Sequence, residues 1–403
     1  MTFKTPAQKY PVPAHVPPEL VVDFDAYRPI TGDEQYHEAF LAVRAKAPDI
    51  FWSPYNGGHW ILTRRDHLSE AFGDYQRFTS TKGASLNPNR PPEAPKLAPI
   101  ELDPPVQQSF RKLFASAFIV SALKEREKEA RALAIELIDG MKPRGGCEFI
   151  KDFAQHLPIK IFMRMVDLPE EDRLTLLPLA NAQVVADGPK EETIKLLFEY
   201  TGRHVMERAA RPGQDLISRI ATAEIDGRPI TQHEAIGLST LLLIGGLDTV
   251  ASMMGHIMQF LACSPEHRRQ LIEQPALIQP AVEEFLRRFA LTNPARGVVE
   301  DIDFHGVEMR AGDRVLLSTP LGAVDPAEYV DPLTVDFTRK SGSKTTFGAG
   351  PHVCPGSMLA RLELKILLEE WLTRIPDFAL DPADAPRLKT GVNGSFEHLP
   401  LVW

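Results

Sequence analysis

Cysteine is scarce in this 403-residue chain: Cys147, Cys263 and Cys354 are the only three. The number is odd and no two stand at CxxC spacing, which argues against a disulfide framework or a structural zinc site and favours a reducing, cytoplasmic setting. Positive charge is in deficit as well. A net charge of −9 argues against nucleic acid as a partner over the whole surface and leaves room only for a local basic patch. No GxGxxG follows a strand, and strands do not alternate with helices, so nothing suggests a dinucleotide-binding fold. The N-terminus, MTFKTPAQKYPVPAHVPPEL, has no apolar h-region; residues 1–33 read as a proline-rich arm rather than a signal peptide or anchor. The most apolar stretch, residues 239–262, is long enough to span a bilayer. Asp248, His256 and Gln259 interrupt it, so it reads as a buried helix of a soluble protein and not as a membrane segment. No repeat and no low-complexity linker divides residues 1–403, which read as one domain.

What is present is mostly helical. Helices are expected at 34–47, 106–116, 121–140, 150–166, 171–184, 190–210, 232–262, 265–273, 279–290 and 355–374. Residues 50–63 read as a hairpin turned at Asn56–Gly57–Gly58, and short strands near 296–300, 302–309 and 313–318 have turn signals at His305–Gly306 and Ala311–Gly312. Residues 82–105 are too proline-rich for regular structure. The fold class is mainly α with a minor β-sheet edge.

Three stretches carry chemistry. In the central helix, Gly245 and Gly246 each cost about 1 kcal/mol relative to alanine, and the Thr249 hydroxyl can take the Gly245 carbonyl four residues back. Asp248 stands beside them where an unpaired charge is expensive. This is either a kinked helix with a capped threonine or a site that offers a small ligand room, a proton source and a donor. Glu284 and Arg287 share one helix face at i,i+3 spacing. The third stretch is FGAGPHVCPG, 347–356. Gly348, Gly350 and Gly356 permit positive φ and close backbone approach, and Pro355 suits the first turn of a following helix. Cys354 would then sit at a helix N-terminus, which favours a thiolate acting as metal ligand or nucleophile.

Together these residues resemble the cytochrome P-450 (haem-thiolate monooxygenase) family. GGLDT at 245–249, EFLR at 284–287, a strand region with Arg296, and the cysteine loop occur in the family's order. LLLIGGLDTV, LDPPVQQSFRKL, EEFLRRF and the closing LPLVW are most similar to the bacterial camphor 5-monooxygenase branch. The resemblance implies a helix-rich triangular prism and haem b, with Cys354 as the axial ligand to iron. It implies that Arg111, Arg296, His352 and Gln107 bind the haem propionates, that Asp248 and Thr249 deliver protons to dioxygen, and that Glu284 and Arg287 are structural. It also implies that a small 2Fe-2S ferredoxin, served by an NADH-dependent reductase, brings electrons to a face bearing Arg111, Lys112 and Lys344.

By position in that family, Leu86, Leu97, Ile100, Leu241, Ile244, Gly245, Thr292, Val392 and Asn393 line the substrate pocket, with Thr292 or Asn393 as a polar anchor or bonded only to backbone. The camphor branch holds its ketone with a tyrosine whose place falls near Pro95 here, and no tyrosine occurs between Tyr75 and Tyr200. The expected reaction is hydroxylation of a small terpenoid such as an ionone-like norisoprenoid ketone; the rivals are a haem-thiolate peroxygenase or isomerase, and a non-catalytic haem sensor. Residues 177–188 contain no Lys or Arg, so Asp248 is expected to be only loosely held. Pro355 has no N–H to offer the Cys354 sulfur.

Overall fold

The computed structural model describes residues 8–30, 35–91, 95–186, 188–340, 342 and 344–403, with only the backbone of Val120 and Ser121. Its helices are Tyr36–Arg44 (α1), Arg65–Gly73 (α2), Val106–Ala115 (α3), Val120–Met141 (α4), Leu157–Val166 (α5), Arg173–Val184 (α6), Lys190–Ala210 (α7), Leu216–Ala221 (α8), Gln232–Leu247 (α9), Thr249–Cys263 (α10), Pro265–Glu273 (α11), Ile278–Arg288 (α12), Thr319–Ala323 (α13) and Ser357–Arg374 (α14). Three short ones, α2, α8 and α13, were not expected; α8 and α13, of six and five residues, are too short to display a helical period. The expected helix at 150–166 divides into a π-helical turn, Ile150–Ala154, and α5. Pro158 sits at the start of α5 and has no N–H for the preceding turn.

The long apolar helix expected at 232–262 breaks at Asp248, whose φ of −124° and ψ of −39° leave the helical range. Thr249 Oγ1 donates to the Gly245 carbonyl at 3.2 Å, as the spacing suggested. Ser252 Oγ donates to the Asp248 carbonyl at 2.9 Å. Side-chain hydroxyls thus take up carbonyls where the backbone ladder is cut. The N-terminus of α9 is secured by a capping box, with Thr231 Oγ1 accepting from Glu234 N and the Glu234 carboxylate accepting from Thr231 N. Residues 232–263 are apolar enough to cross a membrane by length and composition, yet 61% of their most apolar window is buried inside the protein. Met254, Ile257 and Met258 of α10 meet Phe149, Phe153 and Trp371 in the largest core cluster, where α14 packs on α4 and α10.

The strands are Ile50–Ser53 (β1), His59–Leu62 (β2), Phe78–Thr79 (β3), Gly146–Glu148 (β4), Glu224–Ile225 (β5), Arg228–Pro229 (β6), Ala295–Val298 (β7), Ile302–Phe304 (β8), Val307–Met309 (β9), Arg314–Leu316 (β10), Ala379–Leu380 (β11), Arg387–Lys389 (β12), Ser395–His398 (β13) and Pro400–Val402 (β14). The main sheet has the order β1-β2-β10-β7-β3. The β1–β2 hairpin forms as expected, with Trp52 opposite Trp60. Along the outer edge of β1 lies the described part of the proline-rich arm, through Tyr10 N to Pro54 O at 2.7 Å and Val22 N to Trp52 O at 2.9 Å.

Glu284 and Arg287 are almost wholly buried, at 3% and 1% exposure. They form a bidentate pair of 2.7 and 2.9 Å. The carboxylate also accepts from Asp336 N and Arg339 Nε, and the guanidinium donates to the carbonyls of Ala323, Pro332 and Thr334. All five N–H donors of the guanidinium are therefore used and both carboxylate oxygens accept, and α12 is tied to the 323–339 segment that leads to the cysteine loop.

His37, His59 and His256 are also buried. Each bonds a backbone carbonyl, of Ala290, Tyr55 and Gly394 respectively. Burial pushes His256 down to about 4 and His59 to about 3, and lowers His37 well below its ordinary value. All three are thus neutral in the folded protein, while the unfolded chain takes up protons below about pH 6.5. Stability is complete above that pH and is lost as pH falls toward the folded values, by about 2 kcal/mol per histidine at pH 5. The thermal midpoint of the holoprotein is expected to drop steeply between pH 7.5 and 5, and His256→Gln is expected to flatten that slope; a pH series of melting curves checks both.

Candidate active site

The cysteine loop closes on itself through Cys354 N donating to Phe347 O at 2.9 Å. Gly348 and Gly350 have φ of +69° and +64°, as expected of them. A Cβ on Gly350 would lie 2.7 Å from the Phe72 carbonyl of α2, so glycine is required there. Gly356 differs: its φ is −78° and it precedes the first residue of α14. Pro355 accordingly stands one position before the cap rather than inside the first turn. Burial pushes the Cys354 thiol up, against the N–H groups of Gly356 and Ser357 and the charges of Arg111 and Arg361. The helix end does face the sulfur, but burial outweighs it, so a thiolate here needs a cation bound to it.

The nucleophile alternative has no base to serve it. His352 Nε2 lies 3.1 Å from Ser80 Oγ, and burial, with the Arg296 charge, lowers His352 to about 4. The groups around the loop are instead arranged for an anion. Arg296, on β7, is 4% exposed. Its one hydrogen bond goes to the carbonyl of its own neighbour Ala295, and its guanidinium lies 5.8 Å from the Phe72 ring centre. Burial lowers it to about 10, and among the described residues no carboxylate pairs with it. Gln107 Nε2 donates to Pro351 O at 2.7 Å while its buried Oε1 has no partner. Arg111 donates to the carbonyls of Pro351 and Val353, so it clamps the loop's backbone. A buried guanidinium with no carboxylate bonded to it, only the more distant charge of Asp103, beside a thiol that needs a cation fits a ligand carrying both a metal and carboxylates. The residues present therefore fit haem.

At the helix break the loose carboxylate expected from residues 177–188 is not found. Asp248 is 6% exposed, and Lys389 Nζ of β12 lies 3.3 Å from its Oδ1. Asn393 Nδ2 and Ser252 Oγ approach its Oδ2 at 3.4 and 3.2 Å. The reading that Asp248 lacks a cation is thus corrected: the cation comes from a hairpin 141 residues further on, and no local spacing could have pointed to it. Ser252, one turn after the acid, could have been read from helical spacing.

The polar anchors are corrected in the same way. The side chain of Asn393 is directed at Asp248, and the Thr292 hydroxyl at Thr319 Oγ1 at 3.3 Å. Thr292 and Asn393 do come together, as an isolated bridge, and Asn293 N bonds Val392 O. Leu97 and Ile100 lie in the loop that crosses α9, where the Lys96 carbonyl approaches Gly237 one turn before Leu241 and Ile244. Leu86 is turned elsewhere: it packs with Tyr27 and Tyr36 and borders an open cleft of about 810 Å³ whose rim includes Asn56, Ala186 and Lys190. In the expected basic patch, Lys344 is paired with Glu328 at 3.4 Å and Arg111 is partly buried, so Lys112 alone remains exposed without a carboxylate partner among the described residues.

The two helix glycines differ. A Cβ on Gly246 would lie 2.5 Å from the Phe162 ring, whereas one on Gly245 would meet nothing within 4 Å. Open space therefore adjoins Gly245, one turn from Thr249. Gly246→Ala is expected to lower stability by about 1–3 kcal/mol, and Gly245→Ala to leave it unchanged or raise it by up to about 1 kcal/mol; denaturant unfolding of the two variants checks this.

Residues 190–390 match the cytochrome P450 family model. The probable cytochrome P450 127A1 of Sinorhizobium fredii is 32% identical over 98% of this chain and 97% of its own length. The mycinamicin IV hydroxylase/epoxidase of Micromonospora griseorubida is 32% identical over 87% of this chain and 91% of its own. Among solved structures, CYP101J2 superposes with a TM-score of 0.89 at 38% identity, covering 98% of this chain and 99% of that one. CYP101C1 gives 0.88 at 37% identity, covering 97% and 99%. With this likeness along nearly its whole length, and a cysteine loop and cationic pocket that suit haem, the chain belongs to the cytochrome P450 family and is a haem-dependent monooxygenase.

Proposed function

We propose that this protein hydroxylates a small hydrophobic, terpenoid-like substrate, such as an ionone-like norisoprenoid ketone, with Cys354 as the ligand to iron. Haem, once bound, supplies the activation of dioxygen and the insertion of one oxygen atom into a C–H bond. The protein's own contribution is to bind, orient and supply protons. Arg296 and His352 hold the propionates, helped by Arg111, whose main contacts are to the loop itself; Gln107 gives its Nε2 to Pro351 O and offers only an acceptor, so it does not serve that role as it stands. Asp248 and Thr249 carry protons across the helix break. The observation that carries this reading is the break itself, which sets open space at Gly245 beside a threonine and a buried acid.

Substrate selection follows from what lines that space. Leu97, Ile100, Leu241, Ile244 and Val392 are apolar and partly exposed. Thr292 and Asn393 are already engaged within the protein. Recognition is therefore by shape and apolar contact, which suits a compact terpenoid and gives a ketone no dedicated donor from these two residues. A ferredoxin, reduced by an NADH-dependent reductase in the cytoplasm, supplies the electrons. Its docking face is the one bearing Arg111 and Lys112, where Val353 and Met358 beside the cysteine loop are also exposed, at 41% and 45%.

Three measurements test this reading. The reduced, carbon monoxide-bound holoprotein is expected to show the red-shifted Soret band of thiolate ligation, and Cys354→Ser to lose it. In NADH-consumption assays with ferredoxin and reductase, Thr249→Ala is expected to keep consuming NADH while product per NADH falls about tenfold or more. Spin-state titration is expected to rank ionones above camphor; equal or tighter camphor binding would overturn the substrate assignment.

A further inference from the structure

Between β3 and α3 the described residues form no helix or strand, so the backbone groups there need partners of another kind. At one end of this loop, Arg314 of β10 donates to the carbonyls of Lys82, of Gly83 at 2.7 Å and of Ser85 at 3.1 Å. Ala295 N of β7 donates to Ala84 O at 2.8 Å. At the other end, the Asp103 carboxylate accepts from Ser80 N at 2.9 Å and from the Thr79 hydroxyl. Both ends of the loop are therefore fastened to the main sheet.

Two turns lie between those anchors. The first, 87–90, closes through Arg90 N to Asn87 O at 3.3 Å, and Asn87, Pro88 and Asn89 border the open cleft. The second, 97–101, closes through Glu101 N to Leu97 O at 3.1 Å and carries Leu97 and Ile100. One ion pair joins the two. Arg90 gives Nη1 to Glu101 Oε1, and Nη2 to Glu101 Oε2 at 2.8 Å and to Pro95 O at 3.0 Å. Oε2 also accepts from Leu97 N at 2.9 Å. The Glu101 side chain is only 4% exposed, against 28% for Arg90. A carboxylate so buried is costly to strip of water, and the guanidinium and the Leu97 amide replace what it loses. A two-point pair of this kind fixes angle as well as distance between the parts it joins. Glu101 thus closes its own turn and binds that turn to the one at the cleft.

We propose that Arg90 and Glu101 are positioning residues for substrate selection: their pair fixes the 97–101 turn against α9, so that Leu97 and Ile100 form an unyielding wall and the cavity takes compact molecules in preference to bulkier ones. The proposal rests on the reading of Leu97 and Ile100 as pocket residues. Neither charged side chain has to touch substrate; both act through those two residues. Thr292 and Asn393 are engaged within the protein, so discrimination falls on the shape of the apolar wall and on how firmly it is held. A turn free to shift would give way to a larger molecule and would lose contact with a small one. A turn already fastened in place spares the ordering cost for a ligand that fits and resists one that does not.

The test uses the holoprotein and two ligands of the haem iron that differ in bulk, imidazole and phenylimidazole, each titrated by the shift of the Soret band. Arg90→Met is expected to move the ratio of the two dissociation constants about fivefold toward the bulky ligand. Arg90→Lys, whose point charge cannot bridge both oxygens, is expected to move it about twofold, and carries the test if Arg90→Met does not accumulate with haem. Arg90→Met leaves a buried carboxylate without its cation, so its melting midpoint is expected to fall by about 3 °C or more. In Arg90→Met/Glu101→Gln the buried charge is gone and the amide oxygen can still accept from Leu97 N. At least half of the lost midpoint is expected to return there while the ligand ratio stays shifted. A ratio that keeps its parent value, or returns to it together with the midpoint, would make the pair a stabilising contact only and overturn the proposal. Leu97→Ala and Ile100→Ala check the pocket reading beneath it. If neither moves the ratio, that reading fails and the proposal with it; if they move it while Arg90→Met does not, only the role of the pair fails.

Discussion

A carboxylate set into the middle of an apolar helix has to be answered by a partner, and much of the site follows from how Asp248 is answered. The helix gives way at that residue, and Thr249 and Ser252 take up carbonyls at the break. Lys389 and Asn393 close over the acid from the C-terminal hairpin. An unpaired charge at 6% exposure would be costly enough to be neutralised or expelled. The pairing allows an ionisable group to remain next to the open space at Gly245. The β12–β13 hairpin lies against α10, with Thr292 and Asn393 bridged beside it.

The complementary arrangement lies around the cysteine loop, where charge is left unanswered by the protein. Among the described residues no carboxylate is bonded to the buried Arg296, where only the more distant charge of Asp103 acts, and Cys354 is a thiol that burial discourages from ionising. In a protein without its cofactor these would be local costs of the kind that destabilise a core. They become favourable together only with a ligand that brings a metal cation to the sulfur and carboxylates to the guanidinium. Binding of haem and integrity of this end of the fold are therefore coupled. The Glu284–Arg287 pair, by contrast, is satisfied internally by its ring of backbone partners.

Much of the scaffold was legible because its signals are local. The Asn56–Gly57–Gly58 turn specifies a hairpin, and Gly348 and Gly350 a backbone that no larger side chain could follow. Helices α8 and α13 were not legible, since a span of five or six residues carries too little period to register. The helix break at Asp248 was visible as a tension between glycines, an acid and an apolar run, but not as a definite boundary. Lys389 had no signal at all. In RLKTGVNGS it is one polar residue before a turn, and only the fold reveals that it faces an acid.

By itself the sequence determined the class of the protein and pointed to candidates for its reactive positions. Cys354 in its glycine-rich loop, the GGLDT stretch and the Glu284–Arg287 spacing are patterns whose physics operates within a few residues. The tertiary structure decided which groups are free to act. It engaged Thr292 and Asn393, turned Arg111 onto the loop, paired Lys344 with Glu328, and brought Lys389 to Asp248. Those outcomes depend on distances between segments far apart in the chain, set by how helices and hairpins pack, and no local pattern contains them.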